Sequence, residues 1–435
     1  MGFYYHNLGD WKIAEDIFIC KTKDEILSQS LEQLFANSSN NTAKLNLIQD
    51  LATKIQNQAD HIVVVGMGGS ILSPMSLVKF CLYHKEKTLP HQKFGFNDPK
   101  PCFNHHNIHF IYYLDEERIN RILATISSKS VAVLVLSNSG ITAETVAICE
   151  YLAQAQNYST IYYHWYAFTD LTKQHTTPLA QFLAIQNATI IQHDPKCVGR
   201  FSLLATQSLL LLQLIGVDLS KFNQGAAEVF NNFKVHHLSQ SQNQNLNHYT
   251  TIDRNDQHIF DPVIGAKSIA YAAHYGFVAA TMSYDPGLQS IANWYTIALA
   301  ETLGKAKLRL IPENITLPLE QHCKMQNYLG SSVKVLMTFL QLAESNHSFF
   351  SDTIQQSQNS LLNAIKLKQI PHRLLTIYDS TQYNLGRLVG YLMLEVILAG
   401  FLSKINPFDQ TEIDQVKQKI NQSLQDNRNA NPKTT

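Results

Sequence analysis

Residues 61–74 read HIVVVGMGGSILSP, and this stretch decides the fold class of the chain. Its apolar run, Ile62 to Val65, is typical of a strand that is buried on both faces. Three glycines follow within the four residues Gly66–Gly69, and Ser70 comes directly after them. Glycines between a strand and a helix allow backbone N–H groups and the helix N-terminus to surround an anion. The stretch therefore predicts a strand, an anion-binding turn and a helix in succession.

The spacing of these glycines argues against two common nucleotide-binding motifs. The dinucleotide fingerprint requires G-x-G-x-x-G, and Ile71 occupies the position of its third glycine. A P-loop requires Gly-Lys followed by Ser or Thr, and the chain contains no such run. We therefore expect neither a dinucleotide nor a nucleoside triphosphate, and no cofactor. On this stretch alone, a tight turn that binds no ligand stays an alternative.

Strand and helix patterns alternate regularly over residues 44–193, the first predicted domain. Continuous apolar strands that alternate with amphipathic helices indicate a parallel sheet covered on both faces. The apolar runs that predict its five strands are HIVVVG (61–66), NIHFIYYLD (107–115), SVAVLVLS (130–137), STIYYHWYAF (159–168) and ATIIQH (188–193).

A second α/β unit is predicted over residues 194–380. Its strand candidates are GFVAATMSY (276–284), AKLRLIP (306–312), VKVLMTFLQL (333–342) and HRLLTIYD (372–379), with a long helix over 285–304. The remaining segments are an N-terminal segment (1–43), C-terminal helices (381–424) and a disordered tail (425–435). The predicted fold class is thus α/β, with two units built on parallel sheets and a helical C-terminal segment.

Composition narrows the class of protein further. The chain has 435 residues, 45% of them hydrophobic, and its 34 basic and 34 acidic residues cancel. Zero net charge argues against nucleic acid or an acidic membrane surface as a partner. The six cysteines form no C-x-x-C pair and the 18 histidines are scattered, so we expect free thiols and no metal site. The most apolar helical stretch, 388–402, contains Glu395 and is too short to span a bilayer, which favours a soluble, cytoplasmic protein.

A second polar stretch, VLSNSGITAET (135–145), also follows a predicted strand and opens a helix. Ser137, Ser139 and Thr142 supply three hydroxyls there, and Asn138 lies between the two serines. Hydroxyls and helix-start amides together suit a phosphate group. Thr142 could instead only cap the helix, but a cap requires one hydroxyl. Ligands of open α/β sheets bind beyond the carboxyl ends of the strands, so we expect both polar turns to meet around a small phosphorylated metabolite.

These two turns and four further stretches resemble, in the same order, motifs of the phosphoglucose isomerase family. The six stretches are GMGGSILSP (66–74), SNSGITAET (137–145), VGRFSLL (198–204), AETLGK (300–305), EQHCKMQNYLG (320–330) and LGRLVGYLMLEVILAGFLSKINPFDQTEIDQVK (385–417). The resemblance implies two sugar-isomerase (SIS) type α/β/α sandwich subdomains and a homodimer. It also implies interconversion of glucose 6-phosphate and fructose 6-phosphate in glycolysis and gluconeogenesis, without a metal.

The resemblance also implies catalytic roles for four residues. Glu301 matches the base that moves a proton between C1 and C2, and Arg200 matches the arginine that stabilises the cis-enediolate. His322 and Lys417 match the residues that open the sugar ring, and the family takes this histidine from the partner subunit. These residue types fit the chemistry, because a carboxylate can carry the proton and a guanidinium can stabilise the enediolate charge.

The remaining matched positions are contacts to the substrate. Gln410 matches a phosphate contact, and the two polar turns match the family's phosphate-binding loops. The turn residues carried over are Gly69, Ser70, Ser137, Asn138, Ser139 and Thr142.

Two departures from the family pattern leave alternatives open. Asn138 stands where the family commonly has a lysine, and Ile297 stands where it usually has a glutamine. A lysine or arginine from elsewhere in the chain could compensate for Asn138. These departures leave open a sugar-phosphate-binding protein with weakened catalysis, and the loop SNSGITAET (137–145) leaves open an isomerase that also accepts mannose 6-phosphate.

Overall fold

The chain forms two compact units that are interleaved along the sequence. The computed structural model describes residues 2–6, 31–32, 34–35, 41–88, 107–126, 130–156, 161–170, 177–194, 197–235, 261–305, 307–343 and 349–430. Unit A comprises Met1–Asn41, Lys79–Phe94 and Asp218–Pro407, and unit B comprises Thr42–Val78, Gly95–Val217 and Phe408–Thr435. The linear domain boundaries at residues 193 and 380 stay a prediction.

The described residues form strands and helices that alternate over most of the chain. The strands are β1 (Gly2–His6), β2 (His61–Gly66), β3 (Ile108–Ile111), β4 (Ser130–Leu136), β5 (Tyr162–Thr169), β6 (Thr189–Gln192), β7 (Val278–Ser283), β8 (Ile311–Thr316), β9 (Val335–Leu342) and β10 (His372–Ile377). The helices are α1 (Thr42–Gln58), α2 (Gly69–Thr88), α3 (Glu116–Thr125), α4 (Ala143–Gln156), α5 (Pro178–Ile185), α6 (Thr206–Leu214), α7 (Leu219–Phe233), α8 (Pro262–Tyr275), α9 (Pro286–Leu303), α10 (Lys324–Gly330), α11 (Ser351–Leu367), α12 (Gln382–Leu402) and α13 (Thr411–Ala430). Short 3-10 helices cover Gly199–Leu204 and Leu319–His322.

Unit B contains a parallel sheet of five strands in the order β3-β2-β4-β5-β6, which confirms the five strands predicted there. The strand order reverses at β2, because β3 lies on one side of it and β4 on the other. Gly66 at the end of β2 is in register with Leu136 at the end of β4. The glycine turn and the serine-rich loop therefore leave adjacent strands at the reversal point, where open α/β sheets bind ligands.

Unit A contains a second sheet of five strands, in the order β1-β10-β9-β7-β8. Strands β7 to β10 are parallel, whereas β1 pairs antiparallel with β10 at the edge. The sequence pattern did not predict β1, which comes from the remote N-terminus. The strand predicted over 306–312 is wrong in position, because β8 begins at Ile311 and runs to Thr316. Arg309 instead bonds the carbonyl of Ala273 at the end of α8, so the residues before Ile311 form a connection.

Helix α12 forms the centre of unit A and is buried along nearly its whole length. With 21 residues it is long and apolar enough to cross a membrane, so the length argument made for residues 388–402 was wrong. However, 83% of its most apolar window is buried inside the protein, as in the core helix of a soluble protein. A Cβ on Gly386 would lie 2.0 Å from the carbonyl oxygen of Phe222, so α12 and α7 pack with their backbones in contact.

A fully buried ion pair joins β10 to α12. Arg373 donates from Nη1 to Oε2 of Glu395 at 2.6 Å and from Nη2 to Oε1 at 2.9 Å. It also donates to the hydroxyl of Tyr295 at 2.8 Å and to Oγ1 of Thr338 at 2.9 Å. Burial, together with the charge of Glu395, raises the pKa of Tyr295 well above its ordinary value, so its hydroxyl stays protonated and donates to that carboxylate. Because each partner is satisfied, the pair fixes β10, α12 and α9 relative to one another.

Helix α13 extends further than the sequence indicates. It continues to Ala430, so the disordered tail predicted to begin at residue 425 is wrong for residues 425–430. Residues 411–430 contain no Gly or Pro, and Glu412 and Asp414 in the first turn favour the positive end of the helix dipole. Residues 431–435 lie outside the described residues.

Candidate functional site

The glycine turn of unit B lies directly against the backbone that precedes Arg200. A Cβ on Gly69 would lie 2.4 Å from the amide nitrogen of Arg200, and one on Gly199 would lie 2.7 Å from that of Ser70. Ser73 strengthens this approach by donating from Oγ to the carbonyl of Gly199 at 2.8 Å. Side chains at either glycine would therefore separate α2 from the 3-10 helix that carries Arg200.

Arg200 is completely buried and is attached to the segment that precedes α13. Its Nη2 donates to the carbonyl oxygen of Asp409 at 3.0 Å, and its guanidinium lies 5.2 Å from the ring centroid of Phe201. The ring of Phe201 in turn packs edge-on against Phe408, with centroids 5.8 Å apart. A guanidinium held by a carbonyl and an aromatic ring has a fixed direction, which is the property required for stabilising charge on a bound ligand.

The serine-rich loop, residues Ser137–Thr142, follows β4. Hydrogen bonds between its backbone and that of neighbouring residues hold it in place. The amide of Ser137 donates to Phe168 at 3.1 Å, and the carbonyl of Asn138 accepts from Asp170 at 3.2 Å. The Ser137 hydroxyl is buried and has no hydrogen-bond partner among the described residues. A buried hydroxyl without a partner is costly unless a ligand supplies one, so Ser137 is a strong candidate for a ligand contact.

The other two hydroxyls of the loop occupy different positions. Ser139 accepts weakly through Oγ from the amide of Ile141 at 3.4 Å. Thr142 directly precedes α4, and its carbonyl accepts from Val146 at 3.2 Å, as at the start of a helix. The amides of the first turn of α4 therefore lie beside the loop. Such amides have no partner within the helix and can bind an anion.

Thr177 holds the loop from the side of α5, a role that the sequence did not reveal. Gly140 has a φ of +66°, and a Cβ there would lie 2.6 Å from Oγ1 of Thr177. Thr177 also caps α5 by accepting from the amide of Ala180 at 3.3 Å. Leu179 then donates its amide to the carbonyl of Gly140 at 3.2 Å. Gly140 is therefore required both for its backbone conformation and for this close approach.

The segment from Asp409 to Asn421 brings Gln410 and Lys417 to the same region of unit B. Lys417 donates from Nζ to Oε1 of Gln410 at 3.4 Å and to Oδ1 of Asp414 at 3.2 Å. One turn further along α13, Asn421 donates from Nδ2 to the carbonyl of Ile141 in the serine-rich loop at 2.9 Å. The segment is thus attached to Arg200 at one end and to the serine-rich loop at the other.

Glu301 and His322, the two remaining candidates, belong to unit A. Glu301 is half-buried in the last turn of α9, where the helix dipole disfavours a carboxylate. His322 is exposed at the end of the 3-10 helix Leu319–His322. That short helix is held by Lys324, which forms ion pairs with Glu313 at 3.0 Å and with Glu320 at 2.9 Å.

These contacts shift the pKa values of Glu320 and Lys324, which flank His322 in the sequence. Partial burial opposes ionisation of Glu320, but hydrogen bonds from Thr316 and Lys324 lower its pKa. Partial burial also acts against the charge of Lys324, but its bonds to Glu320 and Glu313 raise its pKa. The pair of Lys324 and Glu320 therefore stays charged over a wider pH range than two isolated side chains would and keeps the short helix in place.

Nine of the eleven site residues predicted from the sequence fall in unit B, and Glu301 and His322 fall in unit A. Six of the unit B residues belong to the two polar turns at the strand-order reversal, and Arg200 follows the backbone that packs against the glycine turn. The approach of Glu301 and His322 to those turns stays a prediction. Sequence reasoning missed Asn421 and Thr177, although the spacing of four residues between Lys417 and Asn421 places both on one face of a helix.

Comparison with known proteins shows similarity to one family in sequence and a shared fold in structure. Residues 49–260 match the family model described as phosphoglucose isomerase. A glucose-6-phosphate isomerase of Alkaliphilus metalliredigens is 24% identical over 403 residues, which cover 86% of this chain and 82% of that protein. One of Shouchella clausii is 24% identical over 400 residues, which cover 86% of this chain and 81% of that protein.

Solved structures with the same fold include a glucose-6-phosphate isomerase from Chlamydia trachomatis. Its TM-score is 0.68 at 17% sequence identity, and the alignment covers 88% of this chain and 73% of that one. A hypothetical protein from Thermus thermophilus has a TM-score of 0.66 at 18% identity and covers 97% of this chain and 99% of that one. These likenesses confirm the predicted α/β class with two SIS-type subdomains. The family model and the relatives thus make this chain similar to the phosphoglucose isomerase family, the family that its motifs resemble.

Proposed function

We propose that this protein is a glucose-6-phosphate isomerase that interconverts glucose 6-phosphate and fructose 6-phosphate. The observation that carries the proposal is that the glycine turn and the serine-rich loop leave adjacent strands at the strand-order reversal, with Arg200 and Gln410 in the same unit. The named relatives supply the reaction, and the site supplies a place for the phosphate and for the developing charge. The cytoplasm, a homodimer and a role in glycolysis and gluconeogenesis are part of the same proposal.

The phosphate group of the substrate occupies the space at the two turns. Helices α2 and α4 begin at the two turns, so their first backbone amides are donors for the phosphate oxygens, and the unpartnered Ser137 hydroxyl donates to a further one. Ser139 and Thr142 add hydroxyls from the same loop. Because Gly69 and Gly199 carry no side chains, the glycine turn packs directly against the backbone that carries Arg200.

The sugar part of the substrate reacts by proton transfer after ring opening by His322 and Lys417. Glu301 removes the proton from C2 of the open-chain aldose, and the electron pair moves to form a cis-enediolate. The same proton then returns to C1 while the hydroxyl proton of O2 moves to O1, which leaves the C2 carbonyl of the ketose, so atoms and charge balance without a cofactor. Arg200 stabilises the negative charge on the enediolate oxygen, because a rigid guanidinium loses little entropy when the charge develops.

The test is a coupled assay in which fructose 6-phosphate is the substrate and formation of glucose 6-phosphate is measured. The purified protein should turn over, and Glu301→Gln should lower kcat by at least ~10³-fold, because an amide cannot accept the proton. Glu117→Gln is the matched control, since that carboxylate is 83% exposed and belongs to a surface ion pair. It should keep full activity.

Two other outcomes of this assay have specific meanings. Equal turnover of mannose 6-phosphate would support the isomerase of wider range. A folded protein that binds fructose 6-phosphate but shows no turnover would overturn the proposed activity and leave a sugar-phosphate-binding protein.

A further inference from the structure

The serine-rich loop lacks a positive charge of its own. In residues 135–145 the only charged side chain is Glu144, because Asn138 replaces the lysine common in the family. A phosphate monoester carries a charge between −1 and −2 near neutral pH, as a phosphorylated side chain does. Hydroxyls and amides can bind it, but a cation adds the direct attraction between opposite charges.

Helix α13 lies against this loop through Asn421. The amide of Asn421 donates from Nδ2 to the carbonyl of Ile141 at 2.9 Å, and Ile141 directly precedes Thr142. This bond fixes one face of α13 beside the loop. The same loop presents the buried, unpartnered hydroxyl of Ser137.

Lys417 lies on this face of α13, four residues before Asn421. Side chains four residues apart on a helix are neighbours, with Cβ atoms about 5–6 Å apart. The Lys417 ammonium has three N–H donors, and among the described residues it bonds Gln410 and Asp414. A third donor therefore stays available for a ligand beside the loop, and Gln410 is itself a candidate phosphate contact.

Other described cations of unit B have different surroundings. Lys44 is paired with Asp194 at 2.6 Å, and Arg200 is bonded to the carbonyl of Asp409. Lys419 is exposed and stands two residues from Lys417, which turns it by about 200° around the helix axis. Of these cations, Lys417 is the one on the helix face that Asn421 attaches to the loop.

We propose that Lys417, besides its part in ring opening, supplies the cation that meets the substrate phosphate, and that Asn421 positions it there. The arrangement takes over the role of the loop lysine that Asn138 replaces. The inference rests on the proposed function, in that the ligand is a sugar phosphate, but it concerns only the binding of the phosphate group.

The test measures the binding of inorganic phosphate by isothermal titration calorimetry, which requires no turnover. Lys417→Met should weaken phosphate binding at least tenfold, whereas Lys417→Arg should stay within threefold, because it keeps the charge. Lys419→Met is the matched control on the same helix and should bind as the wild type does. Asn421→Ala and Asn421→Asp should each weaken binding about threefold or more, because neither can donate to the Ile141 carbonyl.

A compensating variant makes the test decisive. Asn138→Lys in the Lys417→Met background should restore phosphate affinity to within threefold of the wild type, because it returns a cation to the loop. Phosphate binding by Lys417→Met within twofold of the wild type would overturn the inference, even if that variant had lost isomerase activity. Conversely, a protein that binds phosphate as described but never turns over fructose 6-phosphate would refute the proposed function and leave this inference standing.

Discussion

Gly199 and Ser70 come so close that a Cβ on Gly199 would lie 2.7 Å from the amide nitrogen of Ser70 and 2.8 Å from its hydroxyl. The two residues belong to different ligand-site motifs, which are 129 positions apart in the chain. Their contact holds the glycine turn against the backbone that carries Arg200. No side chain larger than hydrogen fits at residue 199 without moving one of the two elements.

Gly199→Ala should therefore damage the site more than the fold. A displacement of about 1 Å between the glycine turn and Arg200 is expected to lower kcat/KM by about 10²-fold. The measurement is steady-state kinetics with fructose 6-phosphate, together with a thermal unfolding curve. Gly330→Ala is the matched control, because its Cβ would meet only the flexible end of Gln326 at 3.1 Å. Unchanged kinetics in Gly199→Ala would contradict the close approach.

Ser137→Ala should weaken ligand binding without lowering the stability of the folded protein. The Ser137 hydroxyl is buried without a partner among the described residues, so its removal costs no hydrogen bond in the ligand-free protein and relieves a desolvation cost. The midpoint of urea unfolding should stay equal or rise, while the dissociation constant for inorganic phosphate should rise about tenfold. Ser76→Ala gives the opposite pattern, because that hydroxyl donates to Ser73 at 2.7 Å. A Ser137→Ala protein that is clearly less stable would speak against a ligand role.

The buried pair of Arg373 and Glu395 predicts a strong effect on stability. Arg373→Leu leaves a buried carboxylate without its partner, and the loss should be about 3–5 kcal/mol. The double variant Arg373→Leu/Glu395→Leu should be less destabilised than the single variant, since no uncompensated charge is left. Urea unfolding followed by circular dichroism measures both. Arg121→Leu breaks only an exposed pair with Glu117 and should cost less than about 1 kcal/mol.

The histidine pair at the start of β2 and β3 predicts a loss of stability in acid. His61 Nδ1 and His109 Nε2 are 3.3 Å apart with their rings stacked. Burial, and then the charge of His61, lower the pKa of His109 to about 4; burial also lowers that of His61, against the opposing charge of Asp60. The unfolded chain then binds more protons than the folded one between about pH 6.5 and pH 4. The free energy of unfolding should therefore keep its full value above pH 6.5 and fall as the pH falls from 6.5 to 4.

The free energy of urea unfolding at pH 7.5, 6 and 5 measures this slope. His109→Gln should flatten it, because glutamine fills a similar space and does not titrate. His61→Gln should flatten it in part, since it removes both one titrating ring and the repulsion that His109 experiences. An identical slope in His109→Gln would show that other groups govern the acid response.

Much of unit B could be predicted from its sequence because a parallel sheet buried on both faces gives continuous apolar runs. The runs HIVVVG and SVAVLVLS marked β2 and β4, and their polar ends marked both turns. The general rule for open α/β sheets predicted that both turns bind one ligand; the structure places them on adjacent strands, and the shared ligand stays a prediction. The roles of Glu301 and His322 came from the family resemblance and stay predictions.

The rest depends on long-range contacts that leave no local pattern. Strand β1 pairs with β10 from the opposite end of the chain, and Ile311 enters the sheet only because β7 offers it a partner. In the sequence, Asn421 is an ordinary residue of a helix surface. Only the structure shows that it bonds the loop carbonyl of Ile141. The role of Thr177 likewise follows from its close approach to Gly140, which only the structure shows.

The interleaving of the units has a consequence for biosynthesis. Unit B begins at Thr42 but takes its last segment from Phe408 onward. Since ribosomes add about 5–20 residues per second, roughly 20 to 70 seconds separate the emergence of these two parts. The nascent chain therefore completes unit B only after the segment from Phe408 onward has emerged, and until then the incomplete surface of this unit must be kept from aggregating.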